Sequence, residues 1–260
     1  MRTSARYVIA IIVGLLQTVV MSLVLVVPRR PFFFIITAIW LLLTFLIHWH
    51  IARVRKMWPK ELLLALLSFL GYLGLMLLLE SSAMRLVTVI LSGLTAGFLS
   101  HKIIMMDNER FATSLTMKPS RRLTLALWTI AVLTCNIFLF SLTIFFAQIP
   151  GWVLSLTMGV IGGVAAVEVW RMYFAESGQR FLLWAMLIAV GIFECAWTLM
   201  MLPLGYFVLG LVLSWIWYLS VLFVRFHFGA QGIVWRRQGW FILFNLLLIF
   251  CLLTFFARWI

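Results

Sequence analysis

Residues 62–79 read LLLALLSFLGYLGLMLLL, eighteen positions without a charge, bounded by Glu61 and Glu80. A half-buried strand would alternate apolar and polar residues, and a helix on a soluble domain would keep a polar face. This run does neither. At ~1.5 Å of rise per residue a helix of this length approaches the ~30 Å of bilayer hydrocarbon. In lipid every backbone N–H and C=O must be satisfied internally, which leaves helices or closed barrels, and a barrel would show alternating segments of ~10 residues. The stretch predicts a membrane-spanning helix.

The remainder of the chain repeats the pattern. Of 260 residues 65% are hydrophobic and 10% charged, with a mean hydropathy of +1.17. Ordinary soluble domains are ~45–50% apolar and ~25% charged, so a water-soluble fold would have too little polar material to cover its surface. The fold class expected is all-α, a polytopic integral membrane helix bundle. Nine apolar stretches are expected to span, at 7–27, 31–49, 61–79, 86–106, 123–147, 152–170, 181–202, 204–224 and 240–257. Residues 1–260 then form a single transmembrane domain, arranged as hairpins with tight turns on one side. The longest connection, 107–122, is too short for a soluble catalytic domain.

Charge predicts the orientation. With the amino terminus inside, 16 of the 20 Lys and Arg fall on inner segments, and only Arg29, Arg30, Arg85 and Arg258 fall outside. Such a bias marks the cytoplasmic side. The first span ends in Val-Pro-Arg-Arg-Pro (27–31) rather than a small-residue cleavage site, and is expected to remain as an anchor. The simplest location is a prokaryotic cytoplasmic membrane, where the basic loops meet anionic headgroups. Nucleic acid is not an expected partner; membrane lipids and homo- or hetero-oligomeric neighbours are.

Small residues four apart let helices approach closely. Gly93 and Gly97 in the fourth span, and Gly159 and Gly163 in the sixth, are expected to bury those helices in the bundle. Spans two, eight and nine, rich in Phe, Leu and Trp, are expected to face lipid.

Polar side chains within an apolar span carry the functional candidates. Glu194 lies deep in the seventh span with Thr198 on its face. Asn136 lies at matching depth in the fifth, in a stripe with Thr129 and Thr143, and Gln17 lies in the first. One reading brings these together as a polar site with Glu194 accepting a proton or cation; the other makes Glu194 a hydrogen-bonding contact to Asn136 or Gln17. At the inner face, Glu168 and Arg171 are spaced to pair, and His48, His50, His101 and His227 all fall on that side. His48 and His50 point apart on a helix, so no metal site and no cofactor is expected. Cys135, Cys195 and Cys251 show no CxxC spacing, and Asp107 is the sole aspartate. Chemistry that needs aspartate clusters, a serine–histidine–aspartate set or a phosphate-cradling glycine loop has no residues to use. The expectation is a non-enzymatic membrane component, either a small-solute or lipid transporter or an embedded subunit of an assembly. An intramembrane enzyme acting on lipid-linked substrates, or a lipid- or pigment-binding scaffold, is the alternative.

Overall fold

The computed structural model describes residues 3–26, 35, 39, 40, 46, 60–79, 81–109, 114–146, 148–174, 178–229, 232, 233 and 235–255. Eight helices are present among them: α1 (Thr3–Val26), α2 (Lys60–Leu78), α3 (Ser82–Glu109), α4 (Ser114–Phe145), α5 (Gly151–Arg171), α6 (Gly178–Met200), α7 (Tyr206–His227) and α8 (Trp235–Phe255). Five segments are long and apolar enough to cross a membrane: Ser82–Lys102, Arg121–Phe145, Gly151–Arg171, Phe181–Met200 and Tyr206–His227. Three more, Tyr7–Leu23, Glu61–Met76 and Gln238–Thr254, are apolar over shorter lengths. The predicted second span, 31–49, falls almost wholly outside the described residues.

One boundary differs from expectation. The polar stretch predicted as the connection 107–122 is largely helical, because α3 continues to Glu109 and α4 already begins at Ser114. Pro119 in α4 lacks the N–H that would reach the Leu115 carbonyl, yet five helical residues precede it. Basic residues beyond an apolar span do not end a helix; they only end its apolar character.

The chain divides into two compact units, Met1–Ala131 and Val132–Ile260, with the division falling inside α4. In the first unit α1 packs on α3 through small residues. A Cβ placed on Gly14 would lie 2.9 Å from the Gly93 carbonyl oxygen and 3.3 Å from Gly97 Cα. α2 joins α3 through Tyr72, whose hydroxyl lies 2.8 Å from Thr95 Oγ1. Met21, Tyr72, Met76 and Val89 form a buried cluster there, with Leu73 and Ile130 against it.

In the second unit α5 and α6 run antiparallel. Gly151 faces Met200, Gly159 faces the Ala189 carbonyl and Gly163 that of Ala185, so the pairing holds along the full length. α7 is central rather than peripheral. Its stripe Gly210, Ser214, Trp217 and Val221 recurs every three or four residues and is buried throughout. The Trp217 indole donates to the Gly162 carbonyl at 2.8 Å, and the Trp170 indole donates to the Val221 carbonyl at 3.2 Å. This corrects the expectation that the eighth span faces lipid. Its tryptophan fits inside because Gly162 has no side chain and offers a carbonyl to the indole N–H, the partner a buried Trp requires. α8 follows the expectation for the ninth span, exposing Trp240, Phe244 and Phe250. It is tied to α7 by the Trp215 indole donating to Asn245 Oδ1 at 2.9 Å.

Candidate functional site

Within the second unit Asn136 and Glu194 do not converge. Asn136 is buried on α4, and its Nδ2 donates to Ser214 Oγ of α7 at 2.9 Å. Ser214 in turn donates to the Gly210 carbonyl at 2.7 Å. The relay ties one helix to another and ends on backbone. Thr129 and Thr143 donate to carbonyls of their own helix, those of Leu125 at 2.9 Å and Phe140 at 2.6 Å. Such back-bonding satisfies a hydroxyl in an apolar medium without leaving it for a ligand. Gln17 is buried in the first unit, with neither amide atom hydrogen-bonded among the described residues.

The Asn136 contact gives a direct test. In a double-mutant cycle of Asn136→Leu and Ser214→Ala, a coupling of about 0.6 kcal/mol and no more than about 1.7 kcal/mol is expected, the mean and the maximum seen for interhelical hydrogen bonds in membranes. Equilibrium unfolding in mixed micelles measures it; additive losses would show that the two side chains do not share a bond.

Glu194 stands elsewhere. It is exposed on α6, and Trp152 of α5 joins Phe193, Glu194, Trp197 and Thr198 in lining a recess of about 440 Å³. Thr198 Oγ1 donates to the Glu194 backbone carbonyl at 2.9 Å, so its oxygen lone pairs stay available. The Glu194 carboxylate has no hydrogen bond or ion pair among the described residues. Asn136 and Glu194 are therefore not a single site.

At the charged end of α5, Arg171 Nη1 donates to Glu168 Oε1 at 2.6 Å, the pairing the three-residue spacing predicts. Arg171 remains half exposed while Glu168 is largely covered. Just beyond Arg171, the Tyr173 ring lies under the Arg225 guanidinium of α7, 3.6 Å from ring centre to Cζ, a cation–π contact the sequence did not suggest. His227 stands beside Trp184, with ring centroids 5.3 Å apart, and His101 stacks on Tyr7 at 4.9 Å. His48 and His50 lie outside the described residues. No group of three or more His, Cys, Asp or Glu side chains among the described residues is placed to hold a metal ion.

Sequence reasoning also passed over a buried ion pair. Lys102 of α3 and Glu61 of α2 are both buried, with Nζ and Oε1 3.8 Å apart. The signal was present in the sequence, as a lysine inside the predicted fourth span. A cation inside an apolar helix needs a counter-charge, and Glu61 lies in the first turn of the neighbouring helix. Compared with protein-family models, curated proteins and solved structures, the chain matches none.

Proposed function

We propose that this chain is a non-enzymatic, multi-pass protein of the cell membrane that works as an embedded subunit of a larger assembly. The observation that carries the reading is the fate of the mid-span polar groups. Asn136 Nδ2, Ser214, Trp170, Trp215, Trp217 and Asn245 are taken up by contacts between helices of one unit, while Asn136 Oδ1 and the Gln17 amide are buried without a hydrogen bond among the described residues. Transport would require Glu194 and Asn136 to line one polar cavity beside an interrupted helix. Instead Asn136 is buried against α7, Glu194 is exposed on α6, and α4 to α7 are continuous. Broad apolar faces remain uncovered, such as Leu182, Leu183, Met186, Leu187 and Val190 on α6.

In this reading the chain crosses the bilayer about nine times with its amino terminus on the cytoplasmic side, supported by the 16-to-4 distribution of Lys and Arg. Arg171 and the Tyr173–Arg225 pair then sit where anionic headgroups would meet them. An apolar groove of about 430 Å³ between α1 and α3, running from Tyr7 to Thr18 and from Ile90 to His101, suits an acyl chain and supports the lipid-binding alternative.

Gentle extraction from the native membrane, followed by mass measurement of the intact complex, tests the proposal. The expected result is a species heavier than the 30.0 kDa chain, with a second polypeptide at fixed stoichiometry. A lone chain that accumulates a solute in proteoliposomes would overturn it.

A further inference from the structure

The recess around Glu194 has a composition that the packing of the second unit does not use. Glu194 lies six positions before the end of α6, about 9 Å along the axis, and so within the apolar part of the helix. A carboxylate exposed there is costly unless it is neutralised or paired. The described residues provide no partner for it. On the adjacent α5, Arg171 is twenty positions from Gly151, about 30 Å away at the opposite end of the antiparallel pair.

What surrounds the carboxylate is aromatic. Trp152 projects from the first turn of α5 and Trp197 from the last turn of α6, both exposed at 54% and 40%, with Phe193 beside them. Gly151 stands beside these side chains: a Cβ on it would lie 3.7 Å from Trp197 Cζ3 and 3.4 Å from Met200 Sδ, ordinary contact distances. Indole faces attract cations, and most strongly where water is excluded. Hard metal ions need six or more oxygen ligands for calcium, or near-octahedral oxygen coordination for magnesium. One carboxylate and one hydroxyl do not meet either requirement. A positively charged nitrogen on an apolar body does fit: the carboxylate neutralises it, the rings cover its alkyl groups, and the Thr198 oxygen can accept an N–H if it has one.

We propose that Trp152, Phe193, Glu194, Trp197 and Thr198 form a binding site for an organic ammonium group, entered from the lateral face of the α5–α6 pair. The ammonium can come from an aminolipid headgroup or from a free lipophilic amine. The site is independent of whether the chain is a subunit of an assembly.

The test uses the purified full-length chain in maltoside micelles, whose headgroups carry no charge, with labelled benzyltrimethylammonium as the probe. Saturable binding of one probe per chain is expected. Glu194→Gln should weaken it at least tenfold, and Trp197→Leu by about tenfold. Neopentylbenzene, the uncharged carbon isostere of the probe, should not compete. Displacement of the probe by a few equivalents of phosphatidylethanolamine would assign the site to an aminolipid; retention of the probe would assign it to a free amine. The proposal is overturned if the wild-type chain shows no saturable binding. It is equally overturned if neopentylbenzene competes equally, or if Glu194→Gln, eluting and folding as the wild type, binds unchanged. Should that variant fail to fold, undiminished binding by Trp197→Leu overturns it instead.

Discussion

Replacing Gly210 by leucine is expected to unfold the second unit, and replacement by alanine to destabilise it by about 1–3 kcal/mol. A Cβ on Gly210 would sit 2.5 Å from Ile137 Cγ1, 2.6 Å from its Cα and 2.7 Å from its N. The first of these atoms can move with a side-chain torsion. The other two are backbone, so relief requires α4 and α7 to separate. Separation also pulls on the neighbouring relay, since Ser214 accepts from Asn136 and donates to the Gly210 carbonyl. If, as proposed, both helices cross the bilayer, both losses fall on elements that have no hydrophobic drive to associate in lipid and depend on close packing and hydrogen bonds. Gly191 is the internal control. A Cβ there meets nothing within 4 Å, and in a helix Gly→Ala gains up to about 1 kcal/mol in propensity. Thermal unfolding midpoints in detergent should fall for Gly210→Ala and hold or rise for Gly191→Ala. Equal midpoints for the two variants would refute the close approach of α4 and α7.

The second large effect is expected at Lys102. Lys102→Met leaves the buried Glu61 without the cation that lies 3.8 Å away. Removing one member of a buried ion pair is destabilising, by up to about 3–5 kcal/mol where the remaining charge keeps no further counter-charge. Replacing both residues with apolar ones is often neutral, so Lys102→Met with Glu61→Leu should recover most of the loss. A non-additive cycle of this kind separates an ion pair from two residues that matter independently. Equilibrium unfolding of the four proteins measures it. If the double variant is as unstable as the sum of the single ones, the pair does not hold α2 to α3.

Parts of this architecture were legible in the residues and parts were not. Gly93 and Gly97, and Gly159 and Gly163, announced close approaches by their four-residue spacing. Nothing in that spacing named the partners, Gly14 of α1 for one pair and Ala185 and Ala189 of α6 for the other. Gly210 announced nothing, standing alone in a leucine-rich run. The pairing of Glu168 with Arg171 was readable because three residues along a helix fix a distance. For Lys102 a lysine inside an apolar span signals the need for a counter-charge, but no fixed spacing names Glu61, about forty residues away, as the partner.

Glu194 shows where the division lies. Its depth in the span followed from counting residues, and its chemical class followed from the letter itself. Its direction did not, and both sequence readings placed it inward, toward Asn136 or Gln17, whereas the structure leaves it exposed on α6 beside two tryptophans. The opening run 62–79 fails to indicate a direction for the same reason. A helix that is apolar all round has no stripe that says which side meets protein and which meets lipid. In water the hydrophobic effect writes that choice into the sequence; in hydrocarbon it does not, because lipid is as apolar as leucine. The all-helical class and the length of the apolar segments belong to the sequence. Which face of each helix is buried was decided by a few small residues and hydrogen-bonding groups finding partners on other helices.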